Sequence, residues 1–154
     1  MKFKSYYLLL ALVLLFSCNK DEVKPPKKSP LEILTGTTWQ IDEIRFLQLN
    51  QPYYYKRGAS SGNNANYDNE YIQFNKDNTG VRSDNGEKYP LTWSFTDESK
   101  TKIKIVTQES SELVIYWENI TYDEAALKYT EYYNRNGTNS LGVATRTPNT
   151  SISK

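Results

Sequence analysis

The feature that most restricts the fold of this chain is a series of short alternating segments that are separated by turn signals. Residues 89–96, YPLTWSFT, carry large apolar side chains on one face and polar side chains on the other. Residues 101–107 alternate in the same way, with Ile103 and Ile105 on one face. Because successive side chains of a β-strand point to opposite faces of its sheet, each segment predicts a strand with one buried face.

Tight turns and further strands complete this pattern. Asp84-Asn85-Gly86 is typical of a hairpin turn, and residues 76–80, KDNTG, carry a second turn signal. The other predicted strands are 38–49, 70–75, 80–83, 112–121 and 126–134. Seven or eight short strands at hairpin spacing indicate an all-β domain, either a sandwich or a barrel.

One short helix is predicted before the first strand. Ser29 fits the N-cap, Pro30 the first helical position and Glu32 the third, which completes a capping box. Gly36 fits the position just past the helix end. The helix is therefore expected to have one or two turns.

Two segments lack a clear strand pattern. Residues 50–69, NQPYYYKRGASSGNNANYDN, are rich in Gly, Asn, Ser and Tyr and predict a long loop, a kind of segment that often carries function. Residues 136–154 are polar and predict a loose C-terminal tail. An added edge strand through Leu141 and Val143 is the alternative for the second segment.

Composition excludes several classes of chemistry. The chain has no histidine and one cysteine, which excludes a Ser-His-Asp triad, an internal disulfide and a zinc site of Cys/His type. Its three Asp-Glu pairs do not suit glycosidase chemistry, because adjacent residues on a strand point to opposite faces. We therefore expect a protein that is not an enzyme, with no catalytic residue, no metal and no cofactor.

The charge balance also bears on partners. Lys and Arg total 19 against 18 Asp and Glu, so the formal net charge is +1. Nucleic-acid binding needs a clustered basic surface, and nothing in the sequence resembles one. We expect no nucleic-acid partner.

The N-terminal segment predicts export and a lipid anchor. Lys2 and Lys4 precede an apolar run over residues 6–16. This run is shorter than the roughly 20 residues of a membrane-spanning helix and is typical of a secretory signal. Leu15-Phe16-Ser17-Cys18 follows and resembles the lipobox of bacterial lipoproteins. An ordinary secretory signal with an incidental cysteine is the alternative.

The lipobox resemblance implies a processed and acylated chain. Residues 1–17 would be the signal peptide, Cys18 the lipid attachment residue and residues 18–28 a lipidated tether. The membrane would then be a partner through acyl chains on Cys18. Residues 19–22, NKDE, resemble the export signal of surface lipoproteins in some Gram-negative bacteria. We expect the chain to be anchored in the outer membrane. Residues 19–22 have two interpretations: they direct the protein to the outer face of that membrane, or they are only a solvated linker.

Four short motifs resemble the lipocalin-like lipoproteins of Gram-negative bacteria. They are Leu34-Thr35-Gly36-Thr37-Thr38-Trp39, Phe74-Asn75-Lys76-Asp77-Asn78-Thr79-Gly80, Thr92-Trp93-Ser94-Phe95, and Ile120-Thr121 leading to Leu127. The resemblance covers roughly residues 31–134. It implies a small antiparallel up-and-down β-barrel of about eight strands over residues 29–135, with its floor closed by the short helix. Such a barrel has an interior just wide enough for side chains or one small ligand.

Two functions are compatible with these features. One is a cell-envelope protein that binds a small apolar or amphipathic ligand, or acts as a non-catalytic accessory. The other is surface recognition of a glycan or protein through the Tyr-rich segment 50–69, because tyrosine combines a large contact area with a hydroxyl. The candidate ligand-binding residues are Tyr53, Tyr54, Tyr55, Tyr67, Tyr71, Trp93 and Tyr116. Trp39, Trp93 and Trp117 are expected to fill the core, because large aromatic side chains dominate core burial, and a ligand cavity lined by them is the alternative.

Replacement of Cys18 by serine is expected to abolish labelling of the chain by a lipid precursor, because the substitution removes the thiol that the lipobox resemblance makes the acyl acceptor. Labelling that persists in Cys18→Ser would contradict the anchor. Protease treatment of intact cells tests whether the anchored protein faces outward. A surface-exposed chain is cleaved, and a periplasm-facing chain is protected.

Overall fold

Nine antiparallel strands and one short helix make up the part of the chain that the computed structural model describes, residues 27–109, 111–135 and 137–151. The elements are α1 (Pro30–Thr35), β1 (Thr38–Gln48), β2 (Gln51–Lys56), β3 (Tyr71–Phe74), β4 (Thr79–Asp84), β5 (Glu87–Phe95), β6 (Ile103–Gln108), β7 (Glu112–Tyr122), β8 (Leu127–Arg135) and β9 (Thr138–Pro148). The predicted signal peptide, Cys18 and most of the tether lie outside the described residues.

The strands form a closed barrel. From β3 to β9 each strand pairs with the next one along the chain, and β9 closes the ring by pairing with β1. Two strands share the other edge of β1: β3 pairs with residues 38–40 and β2 with residues 43–48. The structure thus confirms the predicted all-β class, as a closed barrel of eight strands with one extra strand and one short helix.

The local signals at the helix and at the hairpin are confirmed. The Ser29 hydroxyl accepts a hydrogen bond from the Glu32 amide at 3.3 Å, and the Glu32 carboxylate accepts one from the Ser29 amide at 2.8 Å. These bonds satisfy backbone N–H groups that the first turn leaves unpaired. Asn85 and Gly86 both have positive φ, 51° and 88°, which a two-residue hairpin turn of this type requires.

Two segments differ from their predictions. Residues 51–56 form β2 instead of loop, so the long connection is residues 57–70. Residues 138–148 form β9 instead of a tail, so the alternative of a strand through Leu141 and Val143 is the correct one. This strand is not at an edge, because it pairs with β8 on one side and β1 on the other. The prediction failed for β9 because its inward side chains are small or polar, so the segment lacks the apolar alternation of a half-buried strand.

Large side chains fill the lower half of the barrel. Leu34 of α1 is fully buried, and the Trp39 indole N–H donates to the Leu34 carbonyl oxygen at 2.9 Å, which ties the helix across the barrel end. Above this floor the Phe74 ring packs edge-on against Trp93 and Trp117, with centroids 5.5 Å apart in each pair. The three tryptophans are therefore core residues. No helix among the described residues is long and apolar enough to cross a membrane.

Replacement of Gly142 by alanine is expected to lower the free energy of unfolding by about 1–3 kcal/mol, as is usual for overpacking. Gly142 lies opposite Phe46, and an added Cβ would lie 2.5 Å from the Phe46 Cβ and 2.7 Å from the Arg45 carbonyl oxygen. Val143→Ala on the exposed face of the same strand serves as the control, with an expected change within about 0.5 kcal/mol. Denaturant unfolding measures both, and a Gly142→Ala variant as stable as the control would contradict the close approach.

Candidate functional site

A buried ion pair occupies the interior of the barrel above the aromatic core. The Arg146 guanidinium of β9 donates to both carboxylate oxygens of Glu70, each at 2.9 Å, and the two residues are 3% and 2% exposed. The third donor of Arg146, Nε, bonds the Tyr129 hydroxyl at 2.7 Å. The guanidinium also lies over the Trp117 ring, 5.3 Å from its centroid. A charge this deeply buried needs such complete pairing, because desolvation of an unpaired ion is strongly unfavourable.

A second arginine extends the ion pair. Arg82 of β4 lies 3.4 Å from the Glu70 carboxylate, so Glu70 is shared by two guanidinium groups. Arg82 also pairs with Glu109 and, at 3.5 Å, with Asp84. A network of charged side chains therefore lies in the interior and links β9 and β4 through Glu70, which directly precedes β3.

Glu131 borders a small cavity beside this network. The Trp117 indole N–H donates to its carboxylate at 2.8 Å, and burial raises the pKa of Glu131 above its ordinary value of 4.5. The adjoining cavity of about 70 Å³ is also lined by Tyr67 and Tyr133. Pockets for small organic ligands measure roughly 300–1,000 Å³. The interior therefore has room for water molecules and is too small for a lipid-sized ligand.

The connection 57–70 is held against the barrel by its asparagines. The Asn64 side chain accepts from the Tyr54 amide at 2.7 Å and donates to the Pro52 carbonyl oxygen at 3.0 Å. Asn63 bonds the amide and carbonyl of Lys56 in the same way, at 2.9 and 3.0 Å. These side chains replace the next strand on the free edge of β2, which is otherwise open to pairing with another chain.

The same connection carries Tyr67, which packs beside Tyr55 of β2. The Tyr55 hydroxyl donates to Asp68 at 2.6 Å, and burial raises the pKa of Tyr55 to about 12. Tyr67 packs edge-on against the Tyr55 ring, with centroids 5.6 Å apart, and closes one side of the small cavity. Arg57 donates to the carbonyl oxygens of Tyr67 and Asp68 at 2.9 and 3.0 Å, which fixes the backbone there.

A large concave surface lies on the outside of the barrel. A groove of about 610 Å³ runs over β2, β1, β9 and β8. Three aliphatic side chains in it, Leu47, Leu141 and Val143, are 55%, 54% and 56% exposed. The full lining is Arg45, Phe46, Leu47, Pro52, Tyr53, Tyr54, Thr130, Leu141, Gly142 and Val143. We call this surface the outer groove.

Strand register arranges the outer wall in rows of increasing polarity. Paired residues in adjacent antiparallel strands share a face, so each row follows from the pairing. One row, near the β1–β2 and β8–β9 turns, is apolar and aromatic: Pro52, Leu47, Leu141, Tyr132 and Tyr116. The next is mixed: Tyr54, Arg45, Val143, Thr130 and Glu118. The third is polar: Lys56, Glu43, Thr145, Lys128 and Thr121.

A second depression continues the outer groove toward its polar side. It has a volume of about 400 Å³ and shares Arg45 and Val143 with the outer groove. Lys128, Thr145 and Asn119 are among its other lining residues. We call it the polar extension. The two together form a trough with an apolar half and a charged half.

The structure separates the predicted ligand-binding tyrosines into different places. Tyr53 and Tyr54 line the outer groove, and Tyr116 is exposed in the apolar row beside it. Tyr55 and Trp93 are buried, and Tyr67 lines the internal cavity. Tyr71 is half-buried on β3, which does not border the outer groove.

The aliphatic part of the outer groove was not predicted as a site. Leu141 and Val143 did alternate with small residues, but they lie in the segment that was interpreted as a tail. Leu47 lies in the predicted first strand, but the bulge between Ile41 and Glu43, which sets the face on which Leu47 lies, is not visible in the sequence. That bulge reverses which side chains face outward beyond it.

No group of three or more His, Cys, Asp or Glu side chains in the described part of the chain is arranged to hold a metal ion. Comparisons of the chain with protein-family models, with curated proteins and with solved structures find no match. The geometry itself therefore defines the class of protein. It is a small up-and-down β-barrel, consistent with a lipocalin-like fold, whose interior is filled by side chains and whose outer wall carries an apolar groove.

Replacement of Glu131 by glutamine is expected to stabilise the protein at pH 7. The folded state raises the pKa of Glu131, so the stability that this residue contributes is full below pH 4.5 and is lost as the pH rises through its folded pKa. Glutamine retains an acceptor for the Trp117 indole and does not ionise. The stability difference between Glu131→Gln and the wild type should therefore grow as the pH rises from 4.5. Chemical denaturation over pH 4–8 measures it, with exposed Glu118→Gln as the control. A difference that is independent of pH would contradict the raised pKa.

Proposed function

We propose that this protein is a non-catalytic binding protein that takes a small apolar or amphipathic molecule in the outer groove. The observation that carries the proposal is the contrast between about 610 Å³ of concave space on the outer wall and about 70 Å³ inside the barrel. Of these two spaces, the outer groove falls in the size range of small-molecule sites and the interior cavity does not. The sequence left the barrel interior open to side chains or one small ligand, and the proposal places the ligand on the outside.

The lining of the outer groove supports an apolar ligand. Leu47, Leu141 and Val143 each leave about half of their surface in water. Covering apolar surface contributes about 25 cal/mol per Å². A ligand that covers the three side chains would remove this surface from water.

The proposal places the barrel at the cell envelope. This part rests on the lipobox resemblance at Cys18 and on the charged residues 19–22, which lie outside the described residues. An outer-membrane lipid anchor, with the barrel facing outward, would expose the outer groove to molecules that reach the cell surface. The first described residue, Lys27, precedes α1 at the barrel end opposite the apolar row.

A second candidate function is recognition of a glycan or protein through residues 50–69, and two tyrosines of that segment support it. Tyr53 and Tyr54 line the outer groove, and the Arg45 guanidinium lies 5.2 Å from the Tyr54 ring centroid. The buried hydrogen bond of Tyr55 and the packing of Tyr67 give those two tyrosines structural roles. A recognition surface would then consist of Tyr54 and its neighbours in the groove instead of the whole segment.

Replacement of Val143 by aspartate is expected to weaken the binding of dodecanol at least tenfold, because the ligand would have to desolvate a carboxylate at the centre of the groove. Isothermal titration below the micelle concentration measures the affinity. Ser94→Asp adds the same charge to exposed β5, on the opposite side of the barrel, and should leave the affinity unchanged within about twofold.

A second variant separates loss of the site from loss of folding. Thr130→Trp fills the groove without adding charge and should also weaken binding. Thermal unfolding checks that each variant folds. Dodecanol and its carboxylate analogue both failing to bind the wild type, or binding that neither groove variant weakens, would overturn the proposed function.

A further inference from the structure

The charges on the outer wall leave one cation without a partner at the polar end of the trough. Glu43 accepts a hydrogen bond from Arg45 at 2.7 Å and lies 3.8 Å from Lys56. Glu118 pairs with Lys102 at 3.4 Å. Lys128 is exposed and makes no ion pair with any residue that the structure describes. Both wall carboxylates nearest to it are thus already engaged with other cations.

Arg45 adds a second positive group beside Lys128. Its side chain is about two-thirds exposed and lies over Tyr54, so only part of the guanidinium is used by Glu43. Arg45 lines both halves of the trough, and Lys128 lines the polar extension. With Glu43 as the only acid in that lining, the polar extension has an excess of one positive charge. This excess is complementary to an anionic head group.

The dimensions of the trough fit a single alkyl chain. Leu141 and Thr145 lie four residues apart on β9, which corresponds to about 13 Å at roughly 3.3 Å per residue. Thr145 pairs directly with Lys128, and Leu141 pairs with Leu47 in the apolar row. A molecule that reaches from the apolar row to Lys128 therefore needs an apolar body of this length and one charged end.

We propose that the trough binds a free single-chain alkyl carboxylate, with its chain against Leu47, Leu141 and Val143 and its carboxylate at Lys128 and Arg45. This inference rests on the proposed function and names its ligand class. In this arrangement Lys128 and Arg45 select the carboxylate end of the ligand. The aliphatic residues contact the alkyl chain, and they do so equally for charged and uncharged ligands.

The test compares dodecanoate with dodecanol on the purified full chain, below the micelle concentration and at low salt. Dodecanoate should bind at least tenfold more tightly than dodecanol, and the preference should fall as added salt screens the charge. Decanoate should bind more weakly than dodecanoate by about fourfold for each methylene removed. Isothermal titration measures all three ligands.

Variants at Lys128 test whether this residue causes the preference for dodecanoate over dodecanol. Lys128→Glu should remove the tenfold preference for dodecanoate and leave the dodecanol affinity within about twofold, whereas Lys128→Arg should keep the preference. Lys88→Glu makes the same charge change on exposed β5 and should have no effect on either ligand. Val143→Asp should weaken both ligands.

The outcomes separate this inference from the proposed function. Equal affinity of the wild type for dodecanoate and dodecanol, or a preference that survives Lys128→Glu, would overturn the carboxylate assignment and leave the apolar groove intact. If Val143→Asp does not weaken dodecanoate binding, the anion binds elsewhere, and this result would also overturn the carboxylate assignment. Failure of both ligands to bind would overturn the proposed function itself.

Discussion

The buried pair between Arg146 and Glu70 is the interaction on which the rest of the barrel depends. Arg146 also donates to the Tyr129 hydroxyl and, at 3.3 Å, to the Trp39 carbonyl oxygen. The Arg146 side chain of β9 therefore contacts β8, β1 and Glu70, which directly precedes β3. The barrel closes between β1 and β9, and the long connection 57–70 leads into β3, which pairs with β1. Loss of either partner would leave an unpaired charge inside, which proteins tolerate poorly.

The side chains that fill the barrel also determine where a ligand could bind. Two arginines, their carboxylate partners and the aromatic rings of Trp117 and Tyr129 fill the space that a hollow barrel would offer to an apolar guest. The exposed aliphatic side chains Leu47, Leu141 and Val143 lie on the outer wall, where they line the outer groove.

Much of the fold was predictable because its signals are local. Ser29 and Glu32 mark the helix start by their own hydrogen bonds, and Asn85-Gly86 supplies the positive φ values of its hairpin. Strand β9 was missed because its pairing depends on distant partners and its inward side chains include Ser140 and Gly142. Strand β2 was missed because consecutive tyrosines show no alternation, although Tyr55 faces inward and Tyr54 outward.

Local sequence thus decides where this chain extends, where it turns and which chemistries it lacks, because these properties depend on neighbouring residues alone. Tertiary structure decides which side chains of β1, β2 and β9 face the interior, since barrel closure and the bulge in β1 set the register of these strands. Closure brings Leu47 beside Leu141, and Glu70 beside Arg146, across long separations in the chain. No periodic pattern relates residues that are so far apart, and for this reason both the ion pair and the outer groove emerge only from the folded barrel.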